Sequence, residues 1–241
     1  MHTPSPSSVA EFAPHFRSAR VQPTDATGMH AIQRLRFDVY CLERAFLPPT
    51  DYPDQLESDL HDATAAHFAA FNLEAELVGC VRLLRPDARQ HLPFQSRCPG
   101  LLPGVQMPPA AQSAEISRLM VRKDYRRRRG DLLAGVTAPE EAPSATAERR
   151  SPTPQIMLSL YREMFRYSLD TGLRYWFAAM ERPLARALAH MGFAFKQVGA
   201  EGDYFGPVAP YLADLQELKA RVGALNPDLL RWLHLRVPAA G

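Results

Sequence analysis

The stretch from Ala114 to Val121, AEISRLMV, sets a carboxylate and a guanidinium inside an apolar run. It runs straight into a basic segment holding Arg122, Lys123, Arg126, Arg127, Arg128 and Arg129. Glu and Arg are rarely buried without partners. Two readings are open for Glu115 and Arg118. They form an internal structural pair, or the run is a catalytic strand whose basic end receives a phosphate. Glu115, on an otherwise apolar strand, is the best-placed general base, because burial lifts a carboxyl toward neutral pH. Upstream, Glu57, Asp59 and Asp62 fall within six residues. No glycine-turned calcium loop accompanies them, so they read as acids awaiting an arginine or an amine rather than as metal ligands. Cys80, between Gly79 and Val81, reads as a small core residue rather than a nucleophile. With Cys41 and Cys98 it makes an odd, widely spaced set that suggests neither a disulfide framework nor a metal cluster.

These groups need elements to position them. Residues 17–23 can form a first strand. Asp25, Ala26 and Thr27 can cap a helix running to about Arg44, with Met29, Ile32, Leu35, Val39 and Leu42 as its core face. On it Arg36 and Tyr40, four apart, are neighbours. The helix must stop before Pro48 and Pro49. Residues 67–71 and 77–84 read as two strands joined by a turn at Leu73–Glu76. Residues 85–113 read as loop with a short helix, and 114–121 as the central strand. Pro154 fits the first turn of a helix whose inward face is Ile156, Leu160, Met164, Tyr167 and Ser168, capped by Gly172. Strands at 175–180, 193–197 and 206–212, a helix at 181–191 and one or two helices over 215–235 complete the chain. Strands that alternate with helices, yet pair directly early on, argue for an α/β or α+β three-layer domain around a mixed sheet.

The chain has 241 residues, 46% of them apolar and 22% charged, which suits a globular protein with a real core. A net charge of +2 does not call for nucleic acid, and no aromatic ladder accompanies the basic run. No run reaches the length of a membrane span, and the start lacks the apolar core of a signal peptide. A cytoplasmic location is expected. Residues 1–9 are expected to be a flexible tail and 10–241 one domain. Within it, about 130–154 is expected to be a mobile insertion, because it holds almost no large apolar residues.

Four blocks in register carry a resemblance: Arg36-Phe37-Asp38-Val39-Tyr40 with Phe46; Glu57-Ser58-Asp59-Leu60-His61-Asp62; Gly79-Cys80-Val81-Arg82-Leu83-Leu84; and Glu115-Ile116-Ser117-Arg118. The chain resembles the N-acyltransferase superfamily with the general-control acetyltransferase (GNAT) fold. Within that superfamily it resembles the branch of acyl-homoserine-lactone autoinducer synthases and long-chain N-acyl amino acid synthases. A fifth block, residues 175–204, resembles the acyltransferases associated with exosortase systems.

The resemblance implies a three-layer fold whose central sheet is mixed but mostly antiparallel. It implies a charged cluster of Arg36, Asp59, Asp62, Arg82, Glu115 and Arg118 lining an active cleft, with Tyr40, Phe46 and Phe177 also at the substrate. It implies a bulge in the central strand that frees a backbone amide near Leu119 for the oxyanion. Val121, Arg122, Lys123 and Arg126–Arg129 would meet the phosphate of the donor. Tyr40 and Phe46 stand where autoinducer synthases carry Phe and Trp, which changes the aromatic surface of an S-adenosylmethionine site. Arg127-Arg128-Arg129-Gly130-Asp131-Leu132 keeps only the first half of the superfamily's phosphate loop. Acyl carrier protein, with one phosphate on its pantetheine arm, needs less of that loop than acyl-coenzyme A. The expected reaction is acyl transfer from carrier protein, or acyl-coenzyme A, to an amino acid or similar small amine, with no tightly bound cofactor or metal. Autoinducer synthesis is the alternative. Arg82 and Arg118 would orient the acceptor's carboxylate, and Phe165, Phe177 and Met180 would line an acyl tunnel.

Overall fold

In the computed structural model, which describes residues 11–89, 91–98, 100–126, 152–204 and 206–235, the site hangs on one long strand. That strand, β4 (Ser113–Val121), lies mid-sheet. On one side come β3 (Leu77–Leu84), β2 (Ala66–Phe71) and β1 (Arg17–Val21), all antiparallel. On the other come β5 (Tyr175–Met180), β8 (Pro207–Asp214) and the short β6 (Lys196–Gln197). The short β7 (Gly202–Asp203) also pairs with β8. Among the described strands only β4 and β5 pair in parallel, over Ser113–Ile116 and Tyr175–Ala178. Beyond Ile116 the two strands no longer pair. The expected mixed, mostly antiparallel sheet flanked by helices is the one observed.

One sheet face packs Phe68, Val81, Leu83, Ile116 and Trp176 against α2 (Pro152–Asp170), where Ile156, Leu160, Met164 and Phe165 are buried. Trp176 donates its indole N–H to Ser168 at 2.9 Å, which accounts for a serine on that inward stripe. Gly172 ends α2 at φ +70°, as a helix C-terminus demands. α3 (Arg182–His190), α4 (Leu215–Leu225) and α5 (Pro227–His234) close the same layer. α2 crosses β3 at Gly79, where a Cβ would stand 2.9 Å from Ile156 and 3.0 Å from the Met120 carbonyl. Gly79→Val is therefore expected to destabilise the fold by about 1–3 kcal/mol, read from denaturant midpoints.

The opposite face carries two separate apolar clusters. Under α1 (Ala26–Phe37) lie Met29, Ile32, Leu35 and Val39 with Ala69, Cys80 and Met120. At the other end Leu92, Phe94 and Cys98 cover Phe177 and Val198. The polar site occupies the gap between them.

Several expectations need correction. The first helix, capped by Asp25 as expected, is α-helical only to Phe37 and continues as a π-turn over Asp38–Glu43. Arg44 donates to the carbonyl of Val39 five residues back. That wider turn swings Leu42 outward, to 59% exposure, instead of into the core. Residues 193–197 form strand only at Lys196–Gln197, because Phe193 and Phe195 turn into the core. The last strand starts at Pro207 and extends to Asp214. Residues 85–113 hold two single 3₁₀ turns, Pro93–Ser96 and Ala110–Gln112. α2 begins at Pro152, two residues before Pro154. The tail at 1–9, nearly all of the expected insertion and Arg127–Arg129 lie outside the described residues.

Candidate active site

The β3–β4 register slips between Cys80 and Arg82. Cys80 faces Met120 and Arg82 faces Ser117, so Arg118 and Leu119 together oppose Val81. This is the bulge implied by the resemblance, and Arg118 sits in it at φ +52°. The extra residue flips the alternation of the strand. Before it, Ser117 turns toward the α1 face and accepts a hydrogen bond from Arg82 Nε at 3.0 Å. After it, Met120 is on that face. Leu119 packs into the opposite core. Arg118 thereby joins Ser117 on the site face, where a regular strand would alternate them.

Three arginines and three acids then interlock. Arg36 pairs with Glu57, and with Asp62 at 2.7 Å. Arg82 donates through both terminal nitrogens to Asp59, at 2.7 and 2.8 Å, and also pairs with Asp62. Arg118 donates to Glu57 at 2.8 Å and Asp59 at 3.1 Å, and lies over the Tyr40 ring at 5.0 Å. The Phe46 ring packs on Tyr40 at 6.0 Å. Burial alone would raise the three carboxyls. The guanidiniums outweigh it and hold Glu57, Asp59 and Asp62 all below the ordinary range. His67 anchors the loop from below, its Nε2 2.8 Å from the Asp62 carbonyl oxygen. Burial lowers its pKa.

Glu115 stands apart. Of the two readings open for these residues, the internal Glu115–Arg118 pair is not made among the described residues, because the bulge turns Arg118 to Glu57 and Asp59. Glu115 is also not part of the ion-pair cluster. It is 3% exposed and, among the described residues, accepts one hydrogen bond, from the Phe94 amide at 2.9 Å. Burial pushes its carboxyl up to about 7, against the opposing pull of that amide and of Arg82 and Arg118. Phe177 is its neighbour on β5 and stacks on Phe94.

The structure thus brings Arg36, Tyr40, Phe46, Asp59, Asp62, Arg82, Glu115, Arg118 and Phe177 to one sheet face. It adds three groups missing from the expected site: Glu57, Ser117 and the Phe94 amide. Glu57 shares its loop with Asp59 and Asp62, and that proximity was the available signal. Nothing in the sequence marks Phe94. Phe165 and Met180 lie in the core on the far face, away from Phe177, so these three cannot line one tunnel. Cys80 is buried, with its thiol pushed up to about 12, and is a core residue.

The basic end of β4 is less open than its sequence suggests. Arg122 pairs with Glu76 at 3.2 Å and Asp124 at 3.4 Å, and Arg126 pairs with Glu43. Lys123 is exposed. Among the described residues no group of His, Cys, Asp and Glu is arranged to hold a metal ion.

Residues 35–135 match the family model of the acetyltransferase (GNAT) domain, a span that holds every site residue above except Phe177. That span is less than half of the chain, and the fold is GNAT-like. No curated protein matches it in sequence. Among solved structures it is similar to TofI, in a ternary complex with an inhibitor and MTA. The TM-score is 0.61 at 16% identity, over 89% of this chain and 96% of that one. It is similar to BjaI, a CoA-dependent acyl-homoserine lactone synthase with SAM and isopentyl-CoA. There the TM-score is 0.60 at 18% identity, over 92% of this chain and all of that one (100%). It is also similar to the AHL synthase LasI, with a TM-score of 0.54 at 17% identity, over 82% of this chain and 87% of that one. At these identities the likeness is one of fold.

Proposed function

We propose that the protein is an acyl-carrier-protein-dependent N-acyltransferase that makes a fatty amide from an amino acid or similar small amine. The observation that carries this reading is Glu115: a buried carboxyl near neutrality, beside a charge-balanced arginine network and next to the parted strands. An amine attacks the thioester carbonyl carbon as its ammonium proton passes to Glu115, directly or through water. The oxyanion is held by donors such as the amide of Leu119 in the bulge. The C–S bond then breaks, the thiolate takes a proton, and the amide leaves. The parted end of β4 and β5 offers backbone groups to a pantetheine arm, which bears amides of its own.

The acceptor contacts differ from those expected from the sequence. Arg82 is sequestered by Asp59 and Asp62, with its side chain only 3% exposed. The most open members of the network are Asp59, at 23%, and Arg118, at 14%. One charge of each sign at the surface suits a zwitterion, with its carboxylate at Arg118 and Asp59 balancing its positive charge as the amine reaches Glu115.

The donor is tested by steady-state kinetics with matched acyl-carrier protein and acyl-coenzyme A at low and high salt. Carrier protein is expected to win in kcat/KM. The margin should shrink as salt rises, because its acidic surface is steered by basic charge over about 8–10 Å. The exposed Lys123 supplies such charge, the sequence holds more at Arg127–Arg129, and Arg122 and Arg126 are already partnered. Equal use of both donors, or a salt-independent preference, overturns the carrier-protein assignment and leaves a coenzyme A acyltransferase. The fold likeness to acyl-homoserine lactone synthases favours autoinducer synthesis as the second reading. Lactone formed on adding S-adenosylmethionine would establish it over the first. A cytoplasmic location fits a carrier-protein donor, and among the described residues no helix is long and apolar enough to cross a membrane. The exosortase association rests on the resemblance of residues 175–204 alone.

A further inference from the structure

The described residues of the loop between β3 and β4 hold short 3₁₀ turns but no long helix or strand, yet the loop is fixed at two places. Pro93–Ser96 forms a 3₁₀ turn closed by Gln95, whose side chain accepts from the Leu92 amide at 2.7 Å. The amides of Arg97 and Cys98 both donate back to the Phe94 carbonyl, at 3.0 and 2.8 Å. Farther along, Leu101 pairs with Gly199, and the Leu102 amide donates to Val198 at 2.9 Å. A Cβ on Gly199 would stand 2.4 Å from Pro210 and 2.7 Å from the Gly100 carbonyl, so that far anchor requires glycine. Within the first anchor Phe94, 2% exposed, lies flat on Phe177 at 5.0 Å and 21°. Its amide reaches Glu115 Oε2. Glu115 Oε1 takes no hydrogen bond among the described residues.

We propose that Phe94 is a positioning residue for Glu115, its amide fixing one carboxylate oxygen and its ring, with Phe177, keeping water from that side. The strap thus leaves Oε1 as the oxygen that meets the acceptor amine. This deepens the reading of Glu115 as the general base and rests on it. The two halves of Phe94 pull the carboxyl in opposite directions. A donated N–H favours the charged form and exclusion of water disfavours it. The other groups acting on Glu115 are Arg82 of β3 and Arg118 of β4, both favouring the carboxylate. Cys98 of the strap is close enough to feel its charge. β5 contributes only the Phe177 ring.

The test separates the two halves and reads the carboxyl itself. Protein labelled with ¹³C at the glutamate carboxyl is titrated by NMR without substrates, with the Glu115 signal assigned by its loss in Glu115→Gln. Replacing Phe94 by its α-hydroxy acid keeps the ring and removes the N–H. Its proton affinity at Glu115 is expected to rise about tenfold. Phe94→Ala keeps the N–H and admits water, and the affinity is expected to fall by a similar factor. Thermal melting confirms that each variant is folded. Shifts of opposite sign support the proposal. Two unmoved titrations, or two shifts in one direction, overturn it. The acid limb of the transfer rate is measured on the same samples. If the titrations move and the acid limb does not, Glu115 is not the base, and that failure is distinct from failure of the strap.

Discussion

Glu115→Gln is expected to slow acyl transfer by about 10²–10⁴-fold, the usual worth of a general base, while leaving the fold intact. Stability should even rise in alkaline buffer. The carboxyl titrates at about 7 in the folded protein, against 4.5 as its ordinary value. A proton held more tightly folded than unfolded stabilises below the unfolded value, and that stabilisation is lost as pH rises through the folded one. At pH 8.5 the wild type therefore carries a penalty, up to about 3 kcal/mol, that glutamine lacks. At pH 4 the two should be nearly equal. Glutamine can still accept from the Phe94 amide, so the turn at Pro93–Ser96 should hold. Urea denaturation at both pH values, beside a transfer assay, decides it. Loss of stability at both pH values together with activity would make Glu115 a structural group.

The largest effect on stability is expected at Glu57. Its carboxylate is the shared partner of Arg36 and Arg118, and it is buried. Glu57→Ala leaves a fully buried guanidinium with Asp62 at 2.7 Å and Asp59 no closer than 4.0 Å, and frees Arg118 from its better anchor. Removing one member of a buried ion pair costs about 3–5 kcal/mol. In a domain of this size that lowers Tm by about 6–20 °C. Asp59→Asn touches the most exposed acid of the network and should cost much less stability, while raising KM for the acceptor. Calorimetry and acceptor titration on both variants separate framework from substrate contact. Equal losses of stability would mean that the network has no such division.

The sequence made some of this legible. The run around Glu115 reads as a strand because its apolar residues have no room for a polar helix face. The hairpin of β2 and β3 is marked by turn residues between two apolar segments. Arg36 and Tyr40 share a helix side by spacing alone. The acids from Glu57 to Asp62 announce that they need cations. Their pairings are not legible, because Arg118 meets Glu57 across 61 residues of chain. That choice is set by where the bulge aims the side chain, and an irregularity of one residue leaves no periodic trace. For the same reason the π-turn at Asp38–Glu43 passes as ordinary helix. Phe94 was invisible because its segment has neither period, and a backbone amide has no residue type to recognise.

The π-turn and the bulge have one further consequence. The two elements that present Tyr40 and Arg118 each deviate from regular geometry by a single wide turn or a single extra residue. Deleting Arg118 would restore a regular β4 ladder and leave Leu119 alone opposite Val81. The sheet would become more ordinary, and the ring-over-guanidinium contact with Tyr40 would vanish. The scaffold and the chemistry are thus one codon apart. A relative that has shed that codon can keep the whole fold, align along nearly its full length, and lack the exposed guanidinium that meets the acceptor's carboxylate. For sorting sequences of this shape, the presence of the extra residue between Ser117 and Met120 is a sharper criterion than overall similarity.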